Sequence, residues 1–166
     1  NLKPIERPKI FIYNKYIETP RWFQSYGKSY SFSGLKHESI DIHPIIEKYI
    51  NYANILEKKT TDFDGQYFNM ALVNWYKNGN DYIGEHSDDE RQLIDNSSIY
   101  CFSLGDNRDF IIKSKLNNEK IKINLENNSL IIMKGTCQKT HKHSLPKRKK
   151  QNNRRISITL RKFKKI

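Results

Sequence analysis

Seven consecutive residues near the far end of this chain, Arg155-Ile156-Ser157-Ile158-Thr159-Leu160-Arg161, alternate polar and apolar without a break. Successive side chains of a strand point to opposite faces, so Arg155, Ser157, Thr159 and Arg161 share one side and Ile156, Ile158 and Leu160 the other. The apolar row needs a core, and so regular a polar row opposite it suggests a pocket that faces inward. Asn74 and Tyr76 repeat the arrangement on an earlier strand. A chain carrying this segment has to build a β layer with a core on one side and a polar chamber on the other.

Short strand-like runs dominate from residue 67 onward: 67–76, 98–104, 109–114, 119–125, 129–134 and 154–163, separated by Asn- and Gly-rich turns. Many short strands at close spacing argue for a sandwich or barrel rather than a parallel sheet. Before them, residues 9–13 and 26–32 read as aromatic-rich strands, with Thr19-Pro20-Arg21 in a loop between. Ile45, Ile46, Tyr49, Ile50, Ala53 and Leu56 recur at helical spacing behind Pro44, which suits a first turn. The expected class is α+β, mainly β, in a single domain: residues 1–66 supply N-terminal strands and a supporting helix, and 67–164 the core.

The net charge of +12 is unevenly placed. Residues 1–126 hold 17 Lys and Arg against 18 Asp and Glu, whereas 127–166 hold 13 basic residues and no acid. Because that block carries alternating apolar residues it should be folded, and a folded basic surface points to phosphate as partner. No stretch is long and apolar enough for a membrane span, and no secretory signal is visible. Cys101 and Cys137 give no disulfide framework, which suits a reducing, intracellular compartment, the nucleus if the source is eukaryotic and otherwise the cytoplasm.

His86 and Asp88 stand two residues apart behind an apolar run, so an imidazole and a carboxylate can reach one point. His143, in KTHKHSLPK, is a third candidate, with His141 competing for its role. Two histidines and one carboxylate with open positions suit non-haem Fe(II) and oxygen chemistry. A Zn(II) hydrolase could use the same three ligands.

Taken together, Asn74-Trp75-Tyr76, Gly79, His86-Ser87-Asp88-Asp89-Glu90, Arg108-Asp109-Phe110, His143-Ser144-Leu145-Pro146, Arg155 and Arg161 resemble the AlkB family of Fe(II)/2-oxoglutarate-dependent dioxygenases, over roughly residues 10 to 163. The resemblance implies a double-stranded β-helix, or jelly roll, with helical support. It implies His86, Asp88 and His143 as ligands of Fe(II), with O2 and 2-oxoglutarate as cosubstrates. Arg155 and Arg161 would anchor the carboxylates of 2-oxoglutarate, helped by Asn74, Tyr76 and Thr159. The alternative is that both arginines hold DNA phosphate at the surface.

The activity implied is oxidative demethylation of N-alkylated bases of the 1-methyladenine and 3-methylcytosine type in DNA, releasing formaldehyde and succinate. RNA as substrate, or a basic binding protein without turnover, are the other readings. Asp89 and Glu90 would favour a cationic methylated base, and Tyr30 and Phe32, two apart on a strand, would stack on it once flipped. Arg148, within the basic run Lys147 to Lys150, would meet phosphate. Ile12-Tyr13-Asn14 resembles the apolar finger of members that work on duplex DNA: Tyr13 would fill the gap left by the flipped base, or simply close a hairpin, and Arg21 would reach the opposite strand's backbone. A monomer is expected.

Overall fold

The computed structural model describes residues 2–32, 35–60 and 63–164. In chain order its strands are β1 (Lys9–Ile12), β2 (Lys15–Glu18), β3 (Trp22–Tyr26), β4 (Tyr30–Phe32), β5 (Leu35–His37), β6 (Ser39–Ile40), β7 (Met70–Tyr76), β8 (Ile83–His86), β9 (Ile99–Gly105), β10 (Arg108–Ser114), β11 (Lys120–Leu125), β12 (Ser129–Met133), β13 (His141–Leu145) and β14 (Arg155–Arg161). Helix α1 (Pro44–Lys58) lies between β6 and β7, and the single turn α2 (Cys137–Thr140) precedes β13.

Two sheets face each other. The larger runs β12-β9-β14-β7-β3-β6 and the smaller β11-β10-β13-β8, with β1-β2 and β4-β5 as separate hairpins. Alternation on β14 sorts its side chains as expected: Arg155, Ser157, Thr159 and Arg161 are buried between the sheets, while Ile158 and Leu160 join the apolar cluster under α1. Register extends this sorting sideways, since Tyr76, Asn74, Leu72 and Met70 of β7 stand opposite Arg155, Ser157, Thr159 and Arg161. On the other flank Ser103 and Cys101 of β9 stand opposite Ser157 and Thr159. The space between the sheets is thus polar in the middle and sealed by Phe23, Met70, Leu72, Phe110, Leu125, Met133 and Leu145.

Helix α1 starts where His43 accepts the Ile45 N–H on its ring, with Pro44 in the first turn where its missing N–H costs nothing. Ile46, Ile50 and Ala53 pack on Tyr26, Ala71, Val73, Ile158 and Leu160. A buried charge network fastens its far end. Lys162 Nζ, fully enclosed, donates to Glu57 Oε1 and Asp64 Oδ1, both at 2.9 Å.

Three sequence expectations are corrected. Residues 26–32 are not one strand, because Gly27, at a left-handed φ of 79°, breaks the run between β3 and β4; a Cβ there would stand 2.7 Å from the Asn69 carbonyl. Residues 15–18, which alternation did not mark, pair with β1 through a two-residue turn. His141 to Leu145, outside the strand-like runs read from the sequence, is an interior strand of the smaller sheet. Among the described residues no helix is long and apolar enough to cross a membrane, and both cysteines are free.

Candidate active site

β8 and β13 place the first two candidate ligands, because His86 and His143 are direct partners in their antiparallel pairing. Their rings lie 4.2 Å apart between centroids. Past the end of β8 the chain turns Asp88 into the same point, and the ligand atoms of His86, Asp88 and His143 all lie within 4.8 Å of one another. His141, the competing histidine, is outside this cluster; its Nδ1 lies 2.8 Å from the Thr140 hydroxyl.

Each ligand is oriented from behind. His86 Nδ1 faces the Gly84 carbonyl at 2.9 Å, which requires the proton on Nδ1 and leaves the Nε2 lone pair towards the cluster. Phe110 stacks on His143 with rings 26° apart, fixing its plane. Arg161 Nη2 meets Asp88 Oδ1 at 2.9 Å. Burial alone would raise the Asp88 carboxyl, but the Arg161 guanidinium outweighs it and holds the group below the usual carboxylate range. Burial pushes the His143 imidazole down to about 4, so the ring is neutral and its lone pair available at ordinary pH.

The residues fit a divalent iron ion on two counts. Two imidazoles and a carboxylate on one side match what that ion takes. Asp88 Oδ2 is also buried with no hydrogen-bond donor among the described residues, a costly state unless a cation completes it.

Two further residues, which sequence reasoning missed, hold the Asp88 loop. Gln138 of α2 accepts the Asp88 backbone N–H on Oε1 at 2.9 Å and turns its amide towards Met133 Sδ. Ser87 Oγ donates to the His141 carbonyl. Nothing in the local pattern of TCQKTH signals this, since the contact spans fifty residues.

The wall of the pocket is the polar face of the larger sheet. Arg155 Nε donates to Ser103 Oγ at 2.9 Å, and its guanidinium lies over the Tyr76 ring at 5.2 Å. Thr159 faces Cys101. Asn74, Tyr76, Arg155, Thr159 and Arg161 all line the same cavity as the three ligands. Two cationic groups at either end of one chamber, with hydroxyl and amide groups between, offer charge-assisted hydrogen bonds to a dicarboxylate. Both arginines are almost fully buried, which removes the reading in which they meet phosphate at the surface.

The expected nucleic-acid contacts are placed less uniformly. Tyr13 is 91% exposed at the tip of the β1-β2 hairpin, where it and Asn14 both have positive φ. Asp89 is exposed at the cavity wall. Glu90 is set deeper, with Oε1 3.9 Å from Arg161, and burial raises its carboxyl above the ordinary range. Arg21 is corrected: its side chain is buried in the cavity, with Nε donating to Asn74 Oδ1 at 2.7 Å, and so does not extend to an opposing strand's backbone. Arg148 is corrected in part, because Nη2 is paired with Asp109 Oδ2 at 2.6 Å and its charge is already met. The side chains of Tyr30 and Phe32 lie outside the described residues, although their backbones form β4.

Arg108 and Gly79 tie this end of the pocket to the loop after β13. The Arg108 guanidinium, fully buried, donates to the carbonyls of Asp81 and Pro146, both at 2.8 Å. Gly79 exchanges backbone hydrogen bonds with the loop after β13, and a Cβ there would fall 1.7 Å from the Arg148 carbonyl oxygen. Only glycine fits.

Residues 7–161 match the profile of the 2OG-Fe(II) oxygenase superfamily. The chain is similar to the mouse protein named DNA oxidative demethylase ALKBH2, 34% identical over 93% of this chain and 66% of that protein. It is similar too to the human protein named alpha-ketoglutarate-dependent dioxygenase alkB homolog 3, at 30% identity over 87% of this chain and 52% of the relative. Among solved structures OsALKBH1 superimposes with a TM-score of 0.61 over 87% of this chain and 78% of that one, at 18% identity, a likeness of fold. The chain spans little more than half to about two thirds of the length of these curated relatives.

Proposed function

Since the chain belongs to the AlkB family within the 2OG-Fe(II) oxygenase superfamily, and is therefore a 2-oxoglutarate-dependent dioxygenase using Fe(II) and O2, we propose that its substrate is an N-methylated base in DNA, which it restores by oxidative demethylation. The observation that carries this reading is the His86-Asp88-His143 cluster, with Asp88 and His143 buried and His86 partly so, opening into a chamber whose far wall is Arg155. The names of the similar proteins supply the substrate class.

His86 Nε2, Asp88 and His143 would hold iron(II) on one side and leave the other open. Bound there with O2 and 2-oxoglutarate, the ion supplies the oxidation of a methyl C–H bond, a step no side chain here could perform. The chain's own residues bind and orient. Arg155, steadied by Ser103 and the Tyr76 ring, and Arg161, which also meets Asp88, would hold the two carboxylates of 2-oxoglutarate. Asn74, Tyr76 and Thr159 line the cosubstrate between them. Arg21 acts from the same cavity, where its charge and its bond to Asn74 fix one side of the chamber. Hydroxylation of the methyl group gives a hemiaminal, which collapses to formaldehyde and the unmodified base.

Adenine methylated at N1 and cytosine methylated at N3 are cations and cannot form Watson-Crick pairs. Asp89 at the cavity wall would favour the charged base. The missing pair lowers the cost of flipping, which for a normal base is a few kcal/mol. Tyr13, projecting from a hairpin that also exposes Phe11 and Tyr16, supports duplex DNA as the substrate, since an aromatic wedge can occupy the vacated stack.

The test is direct. The protein is incubated with Fe(II), 2-oxoglutarate and 1-methyladenine or 3-methylcytosine in duplex DNA, single-stranded DNA and RNA, and the products are weighed by mass spectrometry. Loss of one methylene mass from DNA, with stoichiometric succinate, is the expected result. Turnover on RNA alone would move the substrate, and succinate without any demethylated strand would remove nucleic acid from the reaction.

A further inference from the structure

Beyond the end of α1 the outer face of the larger sheet is not covered by the helix. There the chain's two tryptophans, Trp22 of β3 and Trp75 of β7, are direct cross-strand partners, and Ile156 of β14 stands next to Trp75 in the same row. Together with Leu2 they wall a cavity of about 700 Å³, a volume within the range of small-molecule sites. Its charged lining is all of one sign: Lys3, Lys77, Arg154 and, where it borders the inner chamber, Arg155. Lys3 and Arg7 already lie over the Trp22 ring, at 4.1 and 3.9 Å, so that indole is clamped as a wall. Its Nε1–H is buried and has no acceptor among the described residues. Lys77 and Arg154 are exposed and pair with no carboxylate among them.

A planar apolar wall, an unanswered buried donor and two unpaired cations at one rim ask for one kind of ligand: a flat ring joined to an oxyanion. We infer that this cavity is a nucleotide-binding site, separate from the metal centre, in which a base lies against Trp75 and its phosphate meets Lys77 and Arg154, with Trp22 Nε1 donating to the ligand. The nucleotide is either free or part of a strand. The inference does not rest on the demethylase reading, because the site lies on the other face of the sheet and would bind whether or not turnover occurs.

Because both tryptophans lie in this cavity, their fluorescence reports on it alone. The whole chain, carrying His86→Ala so that metal-dependent binding is absent, is titrated with deoxyadenosine 5′-monophosphate, deoxyadenosine, inorganic phosphate and a pentanucleotide, exciting at the red edge of tryptophan absorption. The mononucleotide is expected to quench saturably, and deoxyadenosine or phosphate alone to bind far more weakly. The double variant Lys77→Glu, Arg154→Glu is expected to weaken binding at least about tenfold, the change that accompanies loss of one charge-assisted hydrogen bond. Both positions are exposed, so the fold survives the exchange, which circular dichroism verifies. A pentanucleotide binding more tightly than the mononucleotide assigns the site to a strand, and equal affinity assigns it to a free nucleotide; both uphold the site. No saturable quenching up to millimolar nucleotide, quenching unchanged in the double variant, or phosphate alone binding as well as the nucleotide would each overturn it.

Discussion

Gln138 shows how much of the metal centre's precision lies outside its ligands. By accepting the Asp88 N–H it fixes where the carboxylate enters, a contact of the kind whose removal usually costs 10- to 100-fold in metal affinity. Gln138→Leu is therefore expected to weaken Mn(II) or Co(II) binding by about that factor, read by calorimetry, and Gln138→Glu, which keeps the acceptor, to restore most of it. An unchanged affinity in Gln138→Leu would reduce the residue to a filler. Glu90 carries a prediction with a sign. Its folded-state carboxyl is raised by burial, so its proton is bound more tightly folded than unfolded. Stability from this group is present below its unfolded pKa and lost as pH rises through the folded value. Glu90→Gln, neutral throughout, should raise the melting temperature at pH 7 and lose that advantage on acidification to pH 4. Melting curves that shift equally at both pH values would refute it.

Between β14 and α1 the fastening is the Lys162-Glu57-Asp64 network, and it is buried on the lysine side. Burial alone would raise Glu57, but hydrogen bonds from Tyr100, Lys162 and Ser98 outweigh it and leave the group lowered. Lys162→Met strips the cation from two carboxylates, and breaking a buried pair in this way costs about 3–5 kcal/mol. Denaturant unfolding should show that loss with the m-value unchanged. Alternation made β7, β9, β10, β11, β12 and β14 legible in the sequence, because each has one face in a core. It could not mark β13, where KTHKHSLP looks polar throughout: His143 is inside for the metal rather than for the core. Helix α1 was legible from its apolar spacing. The triad and the arginine row were legible because ligand types at fixed spacing carry chemistry on their own, whereas Gln138, Ser87 and the clamp on Arg21 are contacts between distant segments with no local pattern. The β1-β2 hairpin was half legible. Its tip holds Tyr13 and Asn14 in left-handed conformations that the two-residue turn demands, and this aims the ring into solvent. Tyr13→Ala is expected to slow repair of duplex lesions by roughly tenfold to a hundredfold, from the 1–3 kcal/mol of base stacking, while leaving single-stranded lesions nearly unaffected. Equal losses on both substrates would reject the wedge.

Across the whole molecule, the basic surplus of the last forty residues divides into charges already met inside and charges left for a partner. Arg155, Arg161 and Lys162 are buried, and Arg148 is paired with Asp109. Lys147, Lys149 and Lys150 remain exposed beside the third ligand. If these three neutralise one phosphate each, the slope of log K against log salt on duplex DNA should be about −2.7 from this loop. A slope near zero would show that the loop touches no phosphate. The same C-terminal placement of charge has its counterpart in the backbone. β14, last of the described strands in chain order, is not at an edge but between β7 and β9, the middle of the larger sheet. Sheets built from such distant segments close late, because long loops must be ordered before the pairing rewards them. During synthesis, at roughly 5–20 residues per second, β7 and β9 wait with open edges until β14 leaves the ribosome. Arg161, which steadies Asp88, arrives with that strand, so a nascent or truncated chain would lack its oxidising centre until the sheet had closed around it.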